Sequence, residues 1–432
     1  MKKNNNNGRP VILRFILIIL IAFFVGYFFG VNKVNYDWQN FKPVLNVASK
    51  EPPAGIVNVD FSPFWTVWQK LVENYYDKSK LDQQKMLNGA ITGMVGAIGD
   101  PFTLYLPPVQ NSDFKQGLSG QFSGIGAELG TQGKDIIVIS PLDGSPALKA
   151  GIKTGDIIQA VDSEPTTNLT LSQIVDKIRG PQGSTVTLTV LHKNSTTPQD
   201  IKITRDVITV KSVAMDIRNA KCTTTGCNVL DKGESCTGSD CTEFAYIRLS
   251  QFGDNTNQEW SNLVTGISQK IKTDKNIKGI VFDLRNNPGG YLTDATFIAS
   301  EFLPQGEVVV SEDNGITQLP MYVTRPGSLL DPKLVVLINK GSASASEIVA
   351  GALRDHGRAT LVGDTSYGKG TVQAAEDLGS GAGLHVTIAK WLTPNGTWVN
   401  GKGLTPDVSV ALDPKRPAVD TQLDSAIFQL LK

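Results

Sequence analysis

The sequence predicts a multidomain α/β protein: an N-terminal membrane anchor, a small helical region, a β-rich middle module, and an α/β core closed by a C-terminal helix. Three observations carry that class. An apolar run of 20 residues, Val11 to Gly30, follows a basic amino terminus. Apolar spacing then changes from helical steps to short alternating runs bounded by Gly and Pro near residue 120. Beyond residue 242, buried-type strands alternate with helix-like segments, the pattern of an α/β layer. Composition agrees: 432 residues exceed one ordinary domain, and 40% apolar with 19% charged residues describes a folded chain. Lys plus Arg (41) equals Asp plus Glu (41), so there is no electrostatic footprint for nucleic acid. Three His and four Cys leave few soft ligands, and neither a metal nor another cofactor is expected.

Residues 1–31 read as a cytoplasmic tail and signal anchor. Val11 to Gly30 carries one charge, Arg14, and at helical rise spans roughly 30 Å of hydrocarbon. Lys2, Lys3 and Arg9 precede it, which keeps the amino terminus in the cytoplasm and sends the rest across. A cleaved signal peptide is the alternative, but no A-x-A site follows closely. The protein is therefore expected to be a single-pass, membrane-anchored chain with an extracytoplasmic body, and residues 32–60 read as the linker off the membrane.

From 61 to 118 the spacing is helical: Phe64, Val67, Trp68, Leu71 and Val72, then a second run from Met86 to Ile98 that Gly99-Asp100-Pro101 stops. Residues 119–208 read as the β-rich module. Ile136 to Ile139 and Val186 to Val190 are strand-like, and Leu171, Ile174, Val175 and Ile178 share one face of a short helix. Gly124, Gly126 and Gly130 imitate a dinucleotide loop, but the spacing is G-x-G-x3-G and no βαβ unit surrounds it.

The core, 209–432, opens with a Cys-rich insertion at 219–242. Cys222, Cys227, Cys236 and Cys241 follow a C-x4-C-x8-C-x4-C spacing, looser than zinc knuckles. In an exported segment two disulfides are expected, with all three connectivities open. Buried strands follow at Gly279 to Leu284 and Leu334 to Ile338, each running into a Gly-bearing turn and a helix, and Gln422 to Leu431 reads as the closing helix.

Three turns of this core could carry chemistry. Strand Leu334–Ile338 leads into Ser342-Ala343-Ser344-Ala345-Ser346-Glu347 and then a helix. This places hydroxyls at a helix N-terminus, where backbone N–H groups can hold an oxyanion. The same residues fit a capping box, Ser344-x-x-Glu347, so a purely structural role competes. Gly368-Lys369-Gly370 enters a strand on which Lys369, Thr371 and Gln373 would share a face. Its phosphate-loop look fails because Gly370 stands where Ser or Thr is needed, and glycines flanking Lys369 argue against a helical Ser366-x-x-Lys369 pair. Asp283 to Gly290 ends in adjacent glycines that let the backbone approach a ligand.

Together these turns resemble the carboxyl-terminal processing (tail-specific) protease family, serine–lysine dyad peptidases that carry a PDZ domain. The likeness covers about residues 61 to 432. It implies a crotonase-like α/β protease core and identifies 119–208 as the PDZ domain, with Gly124, Ile125 and Gly126 in the loop that binds a substrate's terminal carboxylate. It implies Ser344 as nucleophile, Lys369 as base and Gln373 as the residue orienting the lysine. The oxyanion donors would be the N–H groups of Ala345 and of Gly289 or Gly290. The chemistry is consistent: a serine hydroxyl needs a base, and a lysine serves only when burial holds it neutral. His356 and His385 are the other candidate bases, but His356 falls about three turns down the helix that Ser344 begins. A non-catalytic PDZ adaptor, or a binding protein on the same fold, would not need Ser344, Lys369 and Gln373 together. The expected partners are protein or peptide substrates with free C-termini, the membrane through the N-terminal helix, and a second copy of the chain as a candidate homo-oligomer.

Overall fold

The computed structural model describes residues 20, 23–24, 34–39, 42–47 and 59–432, apart from 143, 194, 232 and 413–418. The chain falls into two units, Met1–Gln83 and Gln84–Lys432. In the first, the stretch expected as a plain linker carries two antiparallel strands, Val34–Gln39 and Lys42–Val47. Helix Ser62–Asn74 follows, started by Pro63 in its first turn, where a missing N–H costs nothing. Its expected apolar stripe is present, yet no residue of it is buried. The anchor expected at 11–30 lies outside the described residues except for Leu20, Phe23 and Phe24, which are helical and exposed. Among the described residues no helix is long and apolar enough to cross a membrane.

Helix Gln83–Gly96, all but its first residue in the second unit, ends just before Gly99, as the stop signal predicts. Val95 packs with Tyr105 and Ala382 in a small satellite cluster. Helix Pro108–Leu118 then leads into the middle module. Its sheet runs, edge to edge, Gln199–Thr204, Thr185–Leu191, Ile157–Val161, Asp135–Pro141, Ala127–Gln132. Helix Leu171–Ile178, closed by a Thr170/Gln173 capping box, buries Ile174 and Ile178 against it. The module leaves the core and returns to it at one place, where the Val210 N–H donates to Gly120 O at 2.8 Å.

The core is built on a seven-stranded sheet. Its order is Cys227–Val229, Val213–Cys222, Cys241–Leu249, Ile277–Asp283, Leu334–Ile338, Thr360–Gly363, Val408–Ser409. The last five are mutually parallel. Both faces are covered, which is why these strands read as unbroken apolar runs. Ile280, Phe282, Leu334 and Val336 enter a large core with Trp260 and Phe302. Val281, Val335 and Leu337 face the closing helix Thr421–Leu430 through Leu423, Ala426 and Ile427. A second sheet holds Gln318–Tyr322, Val308–Asp313, Ala382–Leu392 and Thr371–Gly379, and Leu104–Leu106 pairs onto Ala382–Leu392.

The cysteines form two disulfides between sequence neighbours, Cys222–Cys227 and Cys236–Cys241. The segment extends the sheet edge rather than standing off it, since Cys222 and Cys227 are register partners. The Val229 N–H donates to Asp424 Oδ1 at 2.8 Å, tying this edge to the closing helix. Three strands separate it from Leu334–Ile338.

Candidate active site

Every residue of strand Leu334–Ile338 is buried, and the chain leaves it through a tight turn into helix Ala345–Asp355. The three serines of that turn have different fates. Ser342 and Ser346 are 0% exposed and spend their hydroxyls on the adjacent Asp283–Gly290 segment, donating to Leu284 O and Asn287 O at 2.8 Å each. Ser344, between them, is half-buried. Its backbone lies at φ 54°, ψ −117°, a conformation an L residue adopts only under strain, whereas an ordinary N-cap is extended. Strain at a serine between a buried strand and a helix is the geometry that exposes a nucleophilic hydroxyl.

Glu347 ties this turn to the lysine turn. Its side chain is fully buried and accepts four hydrogen bonds. Oε2 takes the N–H groups of Ser344 and Lys369, both at 2.9 Å. Oε1 takes the Ser366 hydroxyl at 2.6 Å and the Gly368 N–H at 2.7 Å. The capping-box pattern in the sequence identified Glu347 as a local cap; the long-range half of its role was not legible there.

The Gly368–Gly370 turn is clamped from the other side. Trp391 Nε1 donates to Lys369 O at 2.9 Å, Trp398 Nε1 to Gly370 O at 2.8 Å, and the Gly370 N–H to Asn400 Oδ1 at 3.1 Å. A Cβ on Gly370 would lie 2.7 Å from Trp398 Nε1, so this position has no room for a side chain. The regular strand begins at Thr371, so Lys369 belongs to the turn and not to the strand that the sequence predicts from it. Burial lowers the Lys369 ammonium's pKa, opposed by the Asp100 carboxylate. Nζ stands 5.1 Å from the centroid of the Phe102 ring.

The expected lysine–glutamine contact is not made in this arrangement. Gln373 Nε2 donates instead to Thr371 Oγ1 at 2.8 Å and Thr387 Oγ1 at 3.1 Å. Nor, among the described residues, does a hydrogen bond join Lys369 Nζ to Ser344. Such contacts are often open until substrate arrives.

The third turn completes the cleft. Asn286 and Asn339 exchange hydrogen bonds of 2.8 Å, and the Ala343 N–H donates to Asn287 O at 3.0 Å, locking this turn to the serine turn. The Gly289 N–H is committed to Asn287 Oδ1 at 2.9 Å. Of the two glycines, this leaves Gly290 as the expected donor. Gly289 adjoins the serine differently: at φ 95°, a Cβ built on it would lie 2.8 Å from Ser344 Cβ and 2.9 Å from Ala345 N. Ala343 O would lie nearer still, at 2.7 Å, so no side chain fits between this turn and the serine turn.

His356 is far from this cleft by its bonds, with Nε2 at 2.7 Å from Val308 O. His385 stacks edge-on against Phe114 at 4.5 Å. In the middle module, Ala127–Gln132 is the edge strand, with helix Leu171–Ile178 alongside, the arrangement that receives an added peptide strand. Gly124, Ile125 and Gly126 precede that edge. Gly126 sits at φ 73°, where a Cβ would lie 2.5 Å from Ser145 Cβ, and Ile125 O accepts the Ala147 N–H at 2.8 Å. The turn is thereby fixed.

Comparison with known proteins agrees with this architecture. Residues 243–410 match the model of peptidase family S41, and residues 112–191 match the PDZ domain. A carboxy-terminal-processing protease of Bartonella bacilliformis is 39% identical over 330 residues, covering 76% of this chain and 70% of its own. The carboxy-terminal processing protease CtpB of Bacillus subtilis is 34% identical over 343 residues, covering 79% and 66%. Among solved structures, the photosystem II D1 C-terminal processing protease aligns with a TM-score of 0.49 at 28% identity, covering 81% of this chain and 92% of that one. The chain belongs to the carboxy-terminal processing proteases, serine-type peptidases of family S41.

Proposed function

We propose that Ser344 is the nucleophile and Lys369 its general base, in a membrane-tethered endopeptidase that works outside the cytoplasm on proteins held by their carboxyl termini. The observation that carries this is the strained Ser344 backbone, flanked by two serines already committed and joined through Glu347 to the lysine turn. In the reaction, neutral Lys369 Nζ takes the Ser344 Oγ proton as Oγ bonds to the scissile carbonyl carbon. The carbonyl electrons move to oxygen, which the Ala345 and Gly290 N–H groups receive. Collapse expels the amine, which takes the proton back from Lys369. Water, deprotonated by the same lysine, then hydrolyses the ester. Gln373, its amide nitrogen held by two threonines, has Oε1 left as acceptor for the lysine.

The Gly124–Gly126 loop is the reader of the substrate's terminal carboxylate, and apolar or small tail residues lie along the Ala127–Gln132 edge. Tethering rests on the basic residues before the apolar run Val11 to Gly30, and the export of the body on its two disulfides. The test is Ser344→Ala, purified and assayed on a tail-bearing protein. Turnover should vanish with the fold intact, whereas loss of a mere cap would cost about 1 kcal/mol of stability and leave activity. A variant cleaving at a comparable rate overturns the assignment.

A further inference from the structure

Lys369 is approached by a segment that lies far away in sequence, on the amino-terminal side of the PDZ module. Phe102 offers its ring to Lys369 Nζ, 5.1 Å from the centroid. The turn that presents Phe102 is fixed by Asp100, whose Oδ1 accepts the Phe102 N–H at 3.0 Å and whose Oδ2 accepts the Thr103 hydroxyl at 2.6 Å. Thr103 is buried, and its oxygen accepts the Thr387 N–H at 3.1 Å. Thr387 Oγ1 in turn accepts Gln373 Nε2 at 3.1 Å. A continuous chain therefore runs from Asp100 through Thr103 and Thr387 to Gln373, and the turn that begins it sets the Phe102 ring against Lys369 Nζ.

We propose that the Asp100–Thr103 turn is a positioning element for the catalytic lysine: Phe102 docks the ammonium form on its ring face, and Asp100 both supplies a stabilising charge and holds Gln373 through the two threonines. The proposal rests on the reading of Lys369 as the base. A cation over an aromatic face is stabilised by the ring quadrupole, more so when water is excluded. A nearby carboxylate acts in the same direction, against the burial that favours the neutral amine. Among the described residues, three titratable groups adjoin Lys369. Asp100 comes from this turn. His385 comes from Ala382–Leu392, where burial first and then the Lys369 charge lower its pKa. Glu347 comes from the serine helix and is bonded to the Lys369 backbone N–H. The fraction of neutral lysine at a given pH is thus set in part by two residues outside the serine and lysine turns.

The experiment is the pH profile of kcat/KM on a fluorescence-quenched peptide ending in a free Ala-Ala carboxylate. Activity rises with pH as Lys369 loses its proton. Asp100→Asn keeps one of the two acceptor oxygens that hold Phe102 and Thr103 and removes the charge, so the acid limb should move to lower pH. Phe102→Leu keeps the apolar cover but removes the ring face and should move the limb the same way. Phe102→Tyr should leave it in place. If Asp100→Asn does not fold, the Leu and Tyr variants of Phe102 decide. Lys369→Ala that still hydrolyses the peptide overturns the reading of the base. An inactive Lys369→Ala, with Asp100→Asn and Phe102→Leu limbs that superimpose on that of the unmodified protein, overturns the positioning role alone.

Discussion

The backbone N–H groups of Ser344 and Lys369 share one acceptor, Oε2 of Glu347, at 2.9 Å each. A buried carboxylate thus fixes the distance between the serine and lysine turns without touching the reacting atoms. Holding catalytic groups in register is worth a large part of a barrier, and small displacements are costly.

Glu347→Gln is the direct probe. Glutamine offers one oxygen and a donor where the four partners are all donors. Hydrogen bonds to charged groups contribute about 1.5–3 kcal/mol each, and buried donors left unpaired cost more. The variant should lose about 3 kcal/mol or more of stability and at least ~10-fold in kcat. Thermal unfolding and initial rates below the transition measure both. Wild-type values for the two would show that the carboxylate does not set the register.

Asp420 tests what the closing helix contributes. Arg285 pairs with it twice, Nη1 to Oδ1 at 2.8 Å and Nη2 to Oδ2 at 2.7 Å, while Nε and Nη2 also reach Asp283 and Nη1 reaches Gln422 Oε1 at 3.2 Å. Burial alone would raise the Asp283 carboxyl; Arg285, Arg248 and Tyr246 together hold it below the usual carboxylate range. Asp420 also caps the helix through the Leu423 N–H at 3.0 Å. Asp420→Ala should therefore cost about 2–3 kcal/mol, since it removes two charge-assisted bonds and the helix cap while Asp283 and Gln422 keep the guanidinium partnered, and Asp420→Asn less. Denaturant titration reads the difference. A loss below about 1 kcal/mol for Asp420→Ala would mean that Arg285 finds another partner.

Much of this architecture was legible because it rests on local chemistry. The helix at Leu171–Ile178 and the strand at Leu334–Ile338 have the bounds that their apolar patterns predict. The serine turn and the Gly-Lys-Gly turn stand out because glycines and small residues are required where backbones cross closely. Three features were not legible. Asp100-Pro101 reads as a helix stop, and nothing local says that Phe102 reaches Lys369. Glu347 reads as a cap, because a capping box and a four-donor clamp share one sequence signature. The commitment of the Gly289 N–H to Asn287 depends on where an asparagine side chain folds back, which spacing alone does not encode.

Asp294 gives the stability a pH dependence. Burial raises its carboxyl to about 6, with the Asn257 amide working against the rise and the Asp254 carboxylate adding to it. Asn257 Nδ2 donates to Asp294 Oδ1 at 2.8 Å, while Asp294 Oδ2 and Asn257 Oδ1 are buried without a partner among the described residues. A proton on Oδ2 would remove the buried charge and turn that oxygen into a donor. Between the ordinary carboxylate range and about 6, the folded state holds more protons than the unfolded one. Stability from this site is complete at the acid end and is lost as pH rises through about 6. Asp294→Asn should remove that slope and raise Tm at pH 7.5, while leaving Tm at pH 4 little changed. Unfolding curves at the two pH values check it, and an unchanged slope would assign the proton elsewhere.

Gly289→Ala separates binding from chemistry at the oxyanion site. The glycine's N–H is engaged with Asn287, so the substitution removes no free donor. What it adds is a methyl group 2.7 Å from Ala343 O, 2.8 Å from Ser344 Cβ and 2.9 Å from Ala345 N, in a backbone conformation of φ 95° that alanine resists. If the space in front of Ala345 receives the developing oxyanion, the methyl displaces that charge from its donor. Loss of one such donor costs about 10²–10³ in kcat. Peptide binding through the PDZ module is unaffected, so KM should change little by comparison. Stability should fall by about 1–3 kcal/mol from the strained backbone, which is measured separately by thermal unfolding. A variant that folds and turns over within a factor of about three of the unmodified protein would mean that the oxyanion lies away from Ala345.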